Sequence, residues 1–295
     1  MKLTAPVPFC GAALPRRATG FRPSHAGRKP GIAARKGCPT MSMLSLILLA
    51  SSAFAQPPQG GPPPAGRGGR GGGGRGNMFI TLDEAAFKPM FDGKSLEGWD
   101  CDSNFWRVTD GAIVGETTAD HQPPQNIFCI WRGGKPADFD LKLQYKITGA
   151  DTGNSGVQYR SVEMPEVAKW VMKGYQADID SRQQYTGQIY EERGRGFLAL
   201  RGQFNYIGDG QKPGNVGSVG DNGELKAFIK INDWNDIEVI ARGNTIVQLI
   251  NGHVMSQLVD DDKSGRKMDG LIGIQLHKTT GPMKIEARNI RIKEM

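Results

Sequence analysis

Residues 174–180 read Gly-Tyr-Gln-Ala-Asp-Ile-Asp. In an extended strand, successive side chains alternate between faces. Tyr175, Ala177 and Ile179 then turn one way, and Gln176, Asp178 and Asp180 the other. The second face sets an amide and two carboxylates in a row, about 6–7 Å between neighbours. Taken alone, that row reads as an ordinary solvated sheet face. Three further stretches repeat the pattern. Residues 156–161 set Gln158 and Arg160 opposite Val157 and Tyr159, and residues 272–277 set Gln275 and His277 opposite Ile274 and Leu276. Residues 188–192 put Tyr190 and Glu192 on one face and Glu191 on the other. Solvated faces are mostly Lys, Glu, Thr and Ser. Planar amides, a guanidinium, carboxylates and an imidazole are instead the groups that clamp hydroxyl-rich ligands. Trp170 and Trp131 fall near strand ends, where an indole either stacks on a sugar ring or packs in the core. Asp178, Asp180, Glu191 and Glu192 are also the oxygen donors a divalent cation takes. Nothing else in the sequence asks for a cofactor.

The elements that must carry these residues are strands. Phe139, Leu141, Leu143, Tyr145 and Ile147 alternate with polar residues over ten positions, the cleanest period of two in the chain. Asp110-Gly111, Arg242-Gly243-Asn244 and Asn251-Gly252 separate further apolar runs with the residues that hairpin turns require. Helical signal is scarce; residues 165–173 and 225–231 each have room for a turn or two. A dozen or so short strands predict one antiparallel β-sandwich or jelly roll over residues 78–295. A curved sheet of such a sandwich offers its outer face as a cleft. The Gly-rich residues 208–220 neither follow a strand nor open a helix, so they read as a mobile surface loop or lid, not a phosphate-binding loop.

Charge distribution narrows the partners. Of 37 Lys and Arg, 11 lie in residues 1–76, which hold no acid; the other 26 face all 30 Asp and Glu, a net of −4. The positive formal charge therefore belongs to the leader, and nucleic acid is not an expected partner of the folded part. Residues 41–55 hold a short apolar run ending Ala53-Phe54-Ala55, the pattern of a signal peptide cut before Gln56. The run is shorter than the roughly 20 residues a membrane span needs. A secreted or periplasmic domain is expected, with no stable membrane insertion after cleavage and with residues 1–40 serving either as sequence upstream of a start at Met41 or Met43 or as a long basic n-region or an organelle transit peptide. Residues 56–77 are a Pro- and Gly-rich linker. Cys101 and Cys129, alone in the folded part, either pair or stay as buried thiols. There is no Cys-x-x-Cys, no His-Glu-x-x-His and no nucleophile elbow.

Residues 91–99 (FDGKSLEGW), Asn154-Ser155-Gly156-Val157 followed by Arg160, the 174–180 strand, Asp233-Trp234-Asn235-Asp236, Asn251-Gly252, residues 273–277 (GIQLH) and Arg288-Asn289-Ile290 occur in an order that resembles the 3-keto-disaccharide hydrolase family. The resemblance runs from about Phe87 to Met295 and implies a concanavalin-like sandwich acting on an oligosaccharide or glycoside. Where many relatives carry Glu-x-Gln, this chain has Gln176-Ala177-Asp178, so the carboxylate lies two residues along the same face. A 3-keto group acidifies the proton on carbon 2, and the glycosidic bond can leave by elimination. For that chemistry the residues of this chain offer Asp178 as base and His277 as acid or alternative base, with Arg160 on the enolate oxygen. Gln176, Gln158, Gln275, Asn154 and Trp170 would hold the sugar, and Glu191 or Glu192 would add a second carboxylate. The same face would equally serve a non-catalytic carbohydrate-binding module, or a hydrolase of unoxidised glycans.

Overall fold

Alternating apolar and polar residues build strands here, and Asx-Gly pairs turn them. The computed structural model describes residues 84–295 apart from Ala150; the expected signal peptide and Pro/Gly-rich tract lie outside the described residues. The first strands are β1 (Lys88–Pro89), β2 (Trp99–Asp100), β3 (Trp106–Thr109), β4 (Ala112–Thr117), β5 (Ile127–Trp131) and β6 (Phe139–Gly149). Next come β7 (Asn154–Glu163), β8 (Met172–Asp180), β9 (Ile189–Glu192), β10 (Gly196–Ala199), β11 (Gln203–Ile207) and β12 (Gly214–Ser218). After a short helix α1 (Asn222–Lys226) follow β13 (Asn235–Arg242), β14 (Thr245–Ile250), β15 (His253–Asp260), β16 (Leu271–Leu276) and β17 (Met283–Glu294).

The strands form two sheets. The larger runs β12-β11-β15-β14-β13-β6-β17-β4-β3, with β1 added beside β17; the smaller runs β10-β9-β8-β7-β16-β5-β2. Pairing is antiparallel apart from β11 beside β15. Leu141, Leu143 and Tyr145 of β6, Ile237 and Val239 of β13 and Ile285 of β17 pack against Val157 and Tyr159 of β7, Tyr175, Ala177 and Ile179 of β8 and Ile274 of β16. Each such aliphatic side chain contributes about 1.5–3 kcal/mol by leaving water. This is an antiparallel β-sandwich of the jelly-roll type, as the period of two predicts. Asn251 and Gly252 both take positive φ (50° and 81°), the conformation a two-residue hairpin loop needs.

Three local expectations change. Residues 165–173 form turns and the start of β8, with no helix; Trp170 sits there at φ 61°. The short helix falls at Asn222–Lys226, where the Asp221 carboxylate caps the N–H groups of Gly223 and Glu224. Residues 208–220 are not all loop, because Gly214–Ser218 pairs with β11 at the sheet edge. An edge strand exposed on both faces needs no apolar alternation, so its sequence carries no strand period. Cys101 and Cys129 form a disulfide between the segment after β2 and β5.

Candidate active site

The core-facing set Tyr175, Ala177 and Ile179 turns Gln176 and Asp178 to the outer face of the smaller sheet. Across β7, Gly156 lies opposite Asp178 and Gln158 opposite Gln176. A Cβ at Gly156 would come within 2.5 Å of Gln176 Cγ, so only glycine leaves room for the amide to lie flat beside the carboxylate. Gln176 Nε2 donates to Asp178 Oδ1 at 2.7 Å, while Gln158 Nε2 donates to Gln176 Oε1 at 3.5 Å. Ser161 Oγ donates in turn to Gln158 Oε1. The chain of amides fixes Asp178 by one oxygen.

A second carboxylate is fixed from the other direction. Glu192 of β9 accepts from Asn126 Nδ2 at 3.2 Å and from Gln275 Nε2 at 3.4 Å. Asn126 is itself held by the Lys278 N–H at 3.0 Å. His277, one residue beyond β16, donates from Nδ1 to the Lys278 carbonyl at 2.6 Å, which leaves Nε2 as the ring nitrogen free for a ligand. Asn126, Asn154, Gln176, Asp178, Glu192 and His277 line a cavity of about 340 Å³, completed by the rings of Tyr185, Tyr190 and Phe197.

The electrostatics single out Asp178. Its side chain is buried, and loss of hydration pushes its pKa up to about 8. The charges of Asp180 and Glu192 act in the same direction, and the Gln176 hydrogen bond opposes them. Burial first, then the Glu192 and Asp178 charges, also raises Tyr190, which keeps its hydroxyl protonated and able to donate.

Several residues expected at this site lie elsewhere. Arg160 points the other way because β7 is bulged between Tyr159 and Val162, with Arg160 at φ 45°. A bulge breaks the period of two and re-aims the side chain. The guanidinium is 1% exposed. It donates to the carbonyls of Ala137 and Gly243 at 2.9 and 2.7 Å and to Asp138 Oδ1 at 3.1 Å, tying β7 to the larger sheet. Glu191 lies opposite Tyr175 and so faces inward, where Arg195 joins it (2.7 Å) to Asp260 (2.7 Å); the cavity carboxylate is Glu192. Trp170 donates to Asp100 Oδ1 at 2.7 Å and packs with Phe128, Ile130 and Met172. Trp131 likewise packs against the core. Gln158 and Gln275 are fully buried; they position Gln176 and Glu192 and do not line the cavity.

Asp180 accepts from the backbone N–H groups of Gln184, Tyr185 and Thr186, each at 2.8 Å, stapling the turn after β8. With Asp180 and Glu191 so engaged, the four acids do not gather around one point. Among the described residues no group of three or more His, Cys, Asp or Glu is placed to hold a metal ion. The period of two did place Tyr190 and Glu192 together; Asn126, Tyr185 and Phe197 come from turns and an edge strand whose direction no local pattern reveals.

A sandwich carrying two amide-held carboxylates on one outer face defines the class: a concanavalin-like jelly roll with a polar cleft. Residues 86–293 match the model of the 3-keto-α-glucoside-1,2-lyase-like domain, and the chain belongs to that family. No curated protein matches it. Among solved structures it is similar to a proposed glycosyl hydrolase from Parabacteroides distasonis, with 20% identity, TM-score 0.46, and 71% of this chain and 99% of that one covered. It is also similar to the carbohydrate-binding module CBM66 from Bacillus subtilis (13%, TM-score 0.43, 67% and 96% covered). A β-glucanase from Bacillus licheniformis aligns at 12% identity and TM-score 0.38, with 71% and 91% covered.

Proposed function

We propose that this domain cleaves glycosides whose sugar has been oxidised to a ketone at carbon 3. The observation that carries the reading is Asp178: a carboxylate held by one oxygen, in a cavity lined by hydroxyl-binding groups, with its pKa pushed up to about 8. A base of that strength suits a carbon acid, since proton transfer is most effective when the catalytic pKa lies near the working pH. Ionised Asp178 takes the proton from carbon 2, and the C–H electrons form the enolate of the 3-ketone. The enolate then expels the oxygen at carbon 1, which takes a proton from the protein. The products are an unsaturated keto sugar and the free alcohol; water adding across the new double bond would complete a net hydrolysis.

With Arg160 turned away, the hydrogen bond to the enolate oxygen falls to the Tyr190 hydroxyl or to Asn154. His277 remains the candidate for the leaving-group proton, and Glu192 for orienting a hydroxyl. The leader suits export of this activity; amino-terminal sequencing of the mature protein should then begin at Gln56.

The test is release of sugar from a 3-keto-disaccharide. Wild type should release it, and Asp178→Asn should lose about 10²–10⁴ of the rate, the span of a positioned general base, while still binding. Full turnover by Asp178→Asn would remove Asp178 as base. Binding without turnover by wild type would favour a carbohydrate-binding module, and turnover of unoxidised glycans alone would favour an ordinary hydrolase.

A further inference from the structure

Three of the cavity's lining residues are aromatic and touch one another. Tyr185 and Phe197 stack with ring centroids 5.7 Å apart and planes 20° apart; Tyr190 meets Phe197 edge to face at 5.1 Å. The backbone fixes all three. Phe197 pairs with Tyr190 across β9 and β10, and Asp180 holds the Tyr185 N–H at 2.8 Å. Yet Phe197 remains 44% exposed. An apolar ring clamped by two neighbours and left open on a cavity is a surface prepared for a ligand.

We propose that Tyr185, Tyr190 and Phe197 form the seat for the leaving group, and that the leaving group is a planar aromatic: the domain takes aryl glycosides. The other lining residues, Asn126, Asn154, Gln176, Asp178, Glu192 and His277, carry the polar atoms, so the hydroxyl-bearing ring lies among them. A second sugar could meet Phe197 only by its C–H face, with the hydroxyls at its rim finding no polar atom on that ring, so the contact gains less than a stacked aromatic ring does. A planar aromatic group needs no such partner and gains by offset or edge-to-face stacking. Tyr190 joins the two regions, since the same ring packs on Phe197 and lies near the Asp178 and Glu192 carboxylates. In calling the occupant a leaving group, the inference rests on the cleavage reading above; the aromatic preference in binding does not.

Two unoxidised probes, 4-nitrophenyl glucoside and methyl glucoside, test the preference by calorimetric titration of the mature chain, because neither carries the ketone that elimination needs. Wild type should bind the aryl glucoside at least about tenfold more tightly, the size of a well-formed aromatic contact with its buried area. Phe197→Ala should reduce that ratio to below about threefold, and Phe197→Trp should restore it, with thermal melts showing both variants folded. Equal affinity of wild type for the two probes, a ratio unchanged in Phe197→Ala, or binding of neither probe at millimolar concentration overturns the proposal. Release assays on the 3-keto forms run in parallel. An aryl preference in binding without release would leave the seat standing and sink the cleavage reading; release without aryl preference would do the opposite.

Discussion

At the scale of single residues, Asp178 couples function to stability. In the unfolded chain an aspartate loses its proton near pH 3.9; in the fold, burial keeps the proton on to about pH 8. Between those values the folded state binds more protons than the unfolded one. The stabilisation is therefore complete below about pH 4 and lost as pH rises to 8. Asp178→Asn removes the charge while its amide oxygen can still accept from Gln176. It should melt with wild type near pH 4 and several degrees higher at pH 9, and equal melting temperatures at pH 9 would argue against the buried charge. The same ionisation governs the chemistry with the opposite sign. kcat/KM of wild type should climb with pH along a limb of apparent pKa near 8. A profile flat from pH 6 to 9 would mean another base. Tyr190→Phe removes a donor and keeps the ring, so it should lower kcat with little change in KM if the hydroxyl meets the enolate.

At the scale of elements, β7 decides what the site contains. Its amino-terminal half obeys the period of two and delivers Asn154, Gly156 and Gln158 to the outer face. Its bulge then turns Arg160 into a tie to the larger sheet, where it meets two carbonyls and Asp138. Arg160→Leu should cost about 3 kcal/mol or more, since the partners of a buried charged group are left unpaired. The loss should appear in denaturant midpoint, with kcat/KM of the folded fraction kept within about tenfold. A hundredfold loss of kcat at unchanged midpoint would return Arg160 to the chemistry. Gly156→Ala acts at the other half of the strand. The added methyl meets Gln176, so Asp178 loses its anchor, and kcat should fall by tenfold or more while the fold survives.

At the scale of the whole domain, the Cys101–Cys129 disulfide closes a 28-residue separation, a loop of a size whose closure contributes about 3–4 kcal/mol by restricting the unfolded chain. At about 2–4 °C per kcal/mol for a domain of this size, Cys129→Ala should melt roughly 10 °C lower. An unchanged melting temperature, with free thiols counted in wild type, would show that the pair is not formed. The strands that line the cavity, β7 to β10, run to the edge of the smaller sheet opposite β2, so substrate turnover at 25 °C should survive the loss.

The sequence by itself determined the sandwich, because burial of one face imposes a period of two that reads directly from residues such as 139–148 and 174–180. It also determined Asp178, Gln176 and His277 as candidates, since each sits on a strand, or one residue past its end, whose alternate residues are plainly apolar. Only the tertiary structure decided that Arg160 and Trp170 are structural, that Glu192 and not Glu191 is the second carboxylate, and that three rings close the cavity. The physical reason is the same in each case. A bulge, a strand edge or a turn redirects side chains through long-range pairing, and local alternation carries no record of which partner a strand will meet.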